Sequence, residues 1–372
     1  MDPHALSRLL LGLFELTPGH VVMIAVGGTL IYLAIVRQYE PLLLLPIGFG
    51  CVLANIPATG MTAAGGLLHS FYEAGITTQV LPALIFIGVG ALTDFGPLLE
   101  NPVLVLLGAA AQFGIFGTLL MATLMGFGIR EAASIGVIGS ADGPTSIYVA
   151  AALAPDLLGP IAVAAYSYMS LVPVIQPPVM RLLTTREERR IRMPYTVRPI
   201  SHTTRIVFPI VVTIVCGLLL PMATPLIGML MFGNLMRESG VVNRLSQAAQ
   251  NEMANIVTIL LGVAVGSTMT ADNFLHWRTI LIVGMGLLAF ALDTAAGVLF
   301  GKLMCILSRR RINPLVGASG ISAFPMSARV VQRVGQEEDL SNYLLMHAMA
   351  SNTAGQIASV MAGGAILALV AR

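Results

Sequence analysis

The chain is a succession of long apolar runs separated by short polar breaks. Residues 20–37, 41–56, 79–93, 101–126, 130–154 and 157–182 form one series. Residues 206–221, 223–236, 253–268, 279–307, 312–334 and 339–371 form a second. Roughly 20 apolar residues in a helix cross the ~30 Å hydrocarbon core of a bilayer, and no run alternates as barrel strands do. The pattern predicts an all-α polytopic membrane protein of about 10 to 12 hydrophobic segments. It divides into an N-terminal lead (1–19), a first transmembrane repeat (20–182), a basic cytoplasmic loop (183–205) and a second transmembrane repeat (206–372).

Composition agrees with that class. Of 372 residues, 56% are hydrophobic and 10% charged, where a soluble globular chain carries about 25% charged residues. The net charge of +2 argues against a nucleic-acid partner. Cys51, Cys216 and Cys305 lie in apolar runs without metal spacing and read as small buried hydrophobes. The N-terminus lacks the basic region and cleavage-type site of a signal peptide. Charge gathers instead at Arg181 and the loop TTREERRIRMPYTVRPISHTTR, and again at Arg309, Arg310 and Arg311. The positive-inside rule places both clusters in the cytoplasm.

The two series resemble each other. Pro46 and Asn55 are spaced like Pro225 and Asn234, and IFIGV at 85–89 resembles ILLGV at 259–263. Gly136, Pro144, Ser146 and Ser170 find counterparts in Gly317, Pro325, Ser327 and Ser351 at one common offset. Such duplication is characteristic of transporters, whose sites lie at the repeat interface.

Two segments are interrupted at matching places. The first carries Gly139, Asp142, Gly143 and Pro144; the second carries Pro314, Gly317, Gly320 and Pro325. Non-helical backbone at membrane depth is tolerated only where it is buried in protein or lines a cavity. Exposed carbonyls and half-helix ends there suit a hard cation such as Na+. Asp142 stands at the first break, and an intramembrane carboxylate is a functional candidate, an exposed loop position being the alternative. Arg329, just past the second break, suits a carboxylate ligand or snorkels to an interface. Asp293 lies mid-segment, open between a helix–helix contact and an ion or proton role. Asp94 and Glu100 read as solvated. Tyr166, Tyr168, His347, Ser351 and Asn352 put polar groups at one depth beside the breaks, and Asn313, Ser322 and Asn352 bring oxygens that ligate Na+.

The stretches LPALIFIGVGALTDFGPLLENP, GVIGSADGPTSIYVA, AYSYMSLVPVIQPP, NPLVGASGISAFPMSARVVQ and HAMASNTAGQIAS resemble the membrane-embedded beta subunit of sodium-pumping biotin-dependent decarboxylases, over about 41–372. The resemblance implies a Na+-translocating carboxybiotin decarboxylase built from inverted repeats, with a scaffold and a mobile core. Six segments per half would instead make the repeats parallel. The family's functional residues fall on Asp142, Tyr168 and Arg329 for the chemistry. They fall on Asp142, Asn313, Gly317, Ser322 and Asn352 for Na+, and on Arg329 and Ser322 for carboxybiotin. No cofactor is implied on this chain itself. The implied partners are a biotin carrier, a carboxyltransferase alpha subunit, a small single-span membrane subunit and further copies of the chain as a trimer, in a bacterial or archaeal inner membrane. From physics alone, a stand-alone Na+-coupled transporter or Na+/H+ antiporter fits the broken helices as well, and an anchoring scaffold is a third reading.

Overall fold

The computed structural model describes residues 11–194 and 199–370. Residues 1–10 of the N-terminal lead and 195–198 of the basic loop therefore lie outside the described residues. The principal helices are α1 (Pro18–Val36), α2 (Pro41–Ala54), α3 (Val80–Leu92), α4 (Val105–Ala111), α5 (Phe113–Leu124), α6 (Ile129–Gly136), α7 (Gly143–Leu153), α8 (Leu158–Ser170) and α9 (Val172–Leu183). The second half holds α10 (His202–Leu219), α11 (Thr224–Ser239), α12 (Ala254–Gly266), α13 (Trp277–Leu307), α14 (Met326–Glu338) and α15 (Leu345–Val370). No strand occurs among the described residues, as the absence of alternation predicts.

Local chemistry sets the ends of these elements. Thr17 and His20 close a capping box at the start of α1, and proline opens α1 and α2, where a missing N–H removes no helical bond. Among the described residues six helices are long and apolar enough to cross a bilayer, or up to eight spans if each bent pair counts as one. The bent pairs are Leu67–Thr77 with Val80–Leu92 (61°) and Pro155–Ser170 with Val172–Leu183 (70°). The apolar run 312–334 is no single helix: a 3-10 stretch over Pro314–Gly320 is followed by the separate α14. The run 339–371 becomes helical only at Leu345. α13 has 31 residues, so at 1.5 Å per residue it runs about 46 Å and outreaches the hydrocarbon core.

Glycine lets these helices meet backbone to backbone. A Cβ at Gly27 would lie 2.7 Å from Gly48 O, and the reverse holds, so α1 and α2 touch at both glycines. α2 crosses α12 at Gly50, whose Cβ would fall 2.6 Å from Val263 O. α3 crosses α11 at Gly90 and Gly233, each facing a carbonyl of the other helix. In bilayers such small-residue contacts supply the packing that hydrophobicity cannot. Both inter-half crossings end in a buried asparagine. Asn55 donates to Met269 O at 2.7 Å, and Asn234 donates to Thr93 O at 2.9 Å. The π-helical turns Glu73–Thr77 and Ala249–Met253 precede α3 and α12 alike.

Candidate functional site

The first break begins where α6 tightens into a 3-10 turn over Val137–Ser140. Ala141 then adopts a left-handed conformation (φ 54°), which reverses the chain and leaves Asp142 as the N-cap of α7. Asp142 Oδ1 accepts from Thr145 N at 3.0 Å, and Pro144 occupies the first turn. Sequence and local geometry agree here, because an Asp cap followed by Gly-Pro is a helix start. The helix dipole and the free amides of that first turn favour a negative charge at this point.

The second break supplies the facing wall. After the 3-10 stretch Pro314–Gly320 the chain passes Ile321 and Ser322, and the Phe324–Pro325 peptide is cis. Ser322 N donates to Ser140 O at 2.8 Å, joining the two interrupted segments directly. Ser322 Oγ reaches Asp142 Oδ2 at 3.4 Å, and Ser359 Oγ from α15 reaches the same oxygen at 2.6 Å. Ser359 also lies 2.9 Å from Gln356 O. Its hydroxyl therefore donates to an ionised Asp142. With Asp142 protonated, it accepts from the acid and turns its own proton to Gln356.

Beside this carboxyl lie buried oxygens without hydrogen-bond partners, among them Thr145 Oγ1 and the Tyr166 hydroxyl; Asn352 Oδ1, another on α15, stands about two turns from Ser359. Tyr166 packs its ring and hydroxyl against Gly143, where any Cβ would collide. Asn352 spends its amide protons on Ser319 O (3.0 Å) and Ile321 O (2.6 Å), which leaves its oxygen free beside the second break. Orphaned buried oxygens next to a carboxylate fit a hard, oxygen-seeking cation. A cavity of about 150 Å³ opens onto Asp142, Ser322 and Gln356, with Phe86, Val89 and Phe324 among its apolar lining.

The other residues singled out from the sequence take different places. Gly317 backs onto Gly297 O of α13 rather than facing the carboxyl. Asn313 donates to Arg189 O (3.0 Å) and Ile191 O (2.8 Å) and accepts from Leu315 N (3.0 Å), so its amide is engaged in holding the basic loop. Tyr168 donates its hydroxyl to Val283 O and lays its ring on Gly286 of α13, while Tyr166, two residues earlier, turns to the break. Arg329 is exposed on α14 and does not line the Asp142 cavity. His347 is buried with its Nε2 3.2 Å from Met193 O.

Several contributors escaped sequence reasoning. Ser359 and Gln356 had a usable signal: Asn352, Gln356 and Ser359 recur at i, i+4 and i+7, a polar stripe on one face of an apolar helix. Gln112 and Gln176 had none. They donate to Gly320 O (3.1 Å) and Ala318 O (2.9 Å) and, with Asn352, hold the carbonyls of the second break.

Ion pairs tie down the basic loop and the end of α9. Arg181, Arg189 and Arg192 pair with Glu337, Glu338 and Asp339 at the end of α14. Asn313 and Asn342 both donate to Arg189 O, so the loop is strapped over the helix that carries Arg329. The hydrogen bond from Arg189 holds the Glu338 carboxyl below its usual range, and Arg192 does the same for Asp339. Acids with lowered folded-state pKa values add stability above their unfolded values, near about 4, and lose it as pH falls through the folded ones. Trypsin cleavage at Arg190 and Arg192 should accordingly stay slow at neutral pH and speed up with added salt, because the exposed Arg192–Asp339 pair is screened. Loosening by acid should require pH below the ordinary carboxylate range.

Comparison with known proteins gives the family. Residues 19–370 match the family described as the Na+-transporting oxaloacetate decarboxylase beta subunit. The chain is 56% identical over 359 residues to the glutaconyl-CoA decarboxylase subunit beta of Acidaminococcus fermentans, covering 96% of this chain and 95% of that one. It is 55% identical over 359 residues, with the same coverage, to the methylmalonyl-CoA decarboxylase subunit beta of Veillonella parvula. It is 49% identical over 421 residues to the probable oxaloacetate decarboxylase beta chain of Vibrio cholerae, covering 96% of this chain and 97% of that one. The chain belongs to this family of sodium-transporting decarboxylase beta subunits and is a multi-pass membrane protein.

Proposed function

We propose that this chain releases CO2 from carboxybiotin and couples that reaction to export of Na+. The observation that carries the reading is the junction of the two broken helices on Asp142. One carboxyl is held by hydroxyls from the second break and from α15 and by the amide of Thr145, and orphaned oxygens lie next to it. Na+ is the cargo of this site, with Asp142, Ser322, Thr145 and Tyr166 as oxygen donors at the carboxyl and Asn352 as a donor beside the second break. Asn313 and Gly317 support the site from behind, by fixing the loop and by letting the second break pack on α13.

Carboxybiotin reaches the chain on a biotin carrier, and the exposed Arg329 meets its carboxylate from the cytoplasmic side, since a guanidinium binds a planar anion through two parallel hydrogen bonds. Decarboxylation adds one proton to biotin and frees CO2. Asp142 supplies that proton: a proton from outside protonates Asp142 as Na+ leaves outward, which weakens the site for the ion, and Asp142 gives that proton up to biotin, which restores the carboxylate for the next ion. The reciprocal α2–α12 and α3–α11 crossings favour a duplicated scaffold around a moving core. The carboxyltransferase alpha subunit, the single-span subunit and further copies of this chain complete the proposed assembly.

The experiment is Na+ uptake into vesicles that hold the complex with and without its biotin carrier. Uptake should appear only with the carrier and carboxybiotin present. Equal uptake without them would establish a stand-alone transporter instead.

A further inference from the structure

Asp293 is the one intramembrane carboxyl that the function above does not use. It lies mid-way along α13, fully buried, and neither of its oxygens has a hydrogen-bond partner. Two glycines make room for it. A Cβ at Gly114, in the first turn of α5, would strike Oδ1, and one at Gly139, three residues before Asp142, would strike Oδ2. The amides of Gly114 and Ile115 face the group without completing hydrogen-bond geometry.

No cation stands against it. α4, α5, the 3-10 turn Val137–Ser140 and the stretch Pro314–Gly320 contain no Asp, Glu, Lys, Arg or His. Of the other neighbours, α6 offers Glu131 and Arg130, the former paired with Arg278 at 2.9 Å near the far end of α13. α8 offers Tyr166 and Tyr168, and α9 offers Arg181, which is paired with Glu337. On α13 itself Lys302 sits over two turns away, beside Glu188 at 3.4 Å. The surroundings thus satisfy neither form completely. The ionised acid lacks a counter-charge, and the neutral acid lacks an acceptor for its O–H. The walls are glycine, alanine and amide N–H, which is no cage for Na+, an ion that needs several oxygens.

We propose that Asp293 is a second proton-carrying site, set behind the first break and emptied when Na+ binds at Asp142. The inference rests on Asp142 being the Na+ site. A positive charge arriving three residues beyond Gly139 raises the local potential through dry protein and favours the ionised form of Asp293. The acid then gives its proton to solvent, and it takes one back when Na+ leaves. Asp293 would trade one proton for the cation without sharing a ligand with it, in addition to the proton that Asp142 carries.

Infrared difference spectroscopy on the purified complex, with Na+ exchanged for K+, tests this. The wild-type protein should show protonated-carboxyl stretches in K+ that fade in Na+. Two such bands are expected, one from each acid; one of them should be absent in Asp293→Asn, and that same band should be insensitive to Na+ in Asp142→Asn. Proton release on Na+ addition, followed with a pH dye, should fall at least about twofold in Asp293→Asn, while Na+ affinity at alkaline pH stays within about threefold. A wild-type band that persists unchanged in saturating Na+ would make Asp293 a fixed structural acid and overturn the proposal. Absence of the band in wild type, or loss of Na+ binding in Asp293→Asn at alkaline pH, would overturn it too. If Asp293→Asn does not fold, the wild-type spectra decide by number: two fading bands are expected, and a single one would overturn the proposal. A complex that binds Na+ yet decarboxylates without regard to it would sink the pumping reading and leave the spectra interpretable.

Discussion

Asp142→Asn should reduce Na+-dependent decarboxylation of carboxybiotin by roughly 10²-fold or more, the loss expected when a buried ion's charged partner becomes neutral. The substitution is close to isosteric. An asparagine oxygen still accepts from Thr145 N, so the N-cap of α7 survives and the chain stays folded. What disappears is the negative charge that offsets dehydration of the cation and the acid that takes up a proton. Ser359→Ala leaves the charge but removes the 2.6 Å donor to it, so its effect should be smaller, about tenfold. Decarboxylation rates across a Na+ titration, with thermal unfolding as a folding control, check both. Asp142→Asn retaining activity within a few-fold would remove Asp142 from the centre of the mechanism.

The second large effect is expected on stability. Gly297→Ala and Gly317→Ala should each destabilise the protein by about 2–3 kcal/mol, the range for forcing a methyl group into a closed interface. Gly297 faces the carbonyl of Gly317 and Gly317 faces that of Gly297, so a new Cβ on either meets backbone that no rotamer change can move. If Gly317 acts only through this crossing, saturating Na+ shifts the melting temperature of Gly317→Ala by the same amount as that of wild type. A direct ligand role predicts a lost Na+ shift instead. Gly28→Ala is the control: a Cβ there meets nothing within 4 Å, and alanine is the better helix former by about 1 kcal/mol.

Asp142 and Ser322 illustrate what was legible beforehand. Asp142 stands out because a carboxyl in an apolar run has few explanations, and Gly-Pro after it marks a helix start within three residues. Ser322 follows the second break in the same way. Tyr168 shows the limit. Both it and Tyr166 sit on one short helix, and the side each presents depends on how α8 rotates against α7 and α13, which no local rule determines. Asn313 looks like a ligand by type, yet its partners are carbonyls more than 120 residues upstream. The acidic Glu337, Glu338 and Asp339 lie 147 to 156 residues from the arginines they pair with, so the strap over α14 is invisible in either segment alone.

The sequence by itself determined the class of solvent, the number and rough extent of the apolar segments, the two breaks and the carboxyl at the first. Those follow from interactions that act over a few residues: hydropathy, capping, and the backbone freedom of glycine and proline. Only the tertiary structure decided which oxygens surround Asp142, which arginines are consumed by the fold, and that Asp293 stands without a partner. Each of these depends on a contact between segments far apart in the chain. In a membrane such contacts arise from close backbone packing at glycines and from single buried amides and hydroxyls, whose partners the order of residues does not reveal.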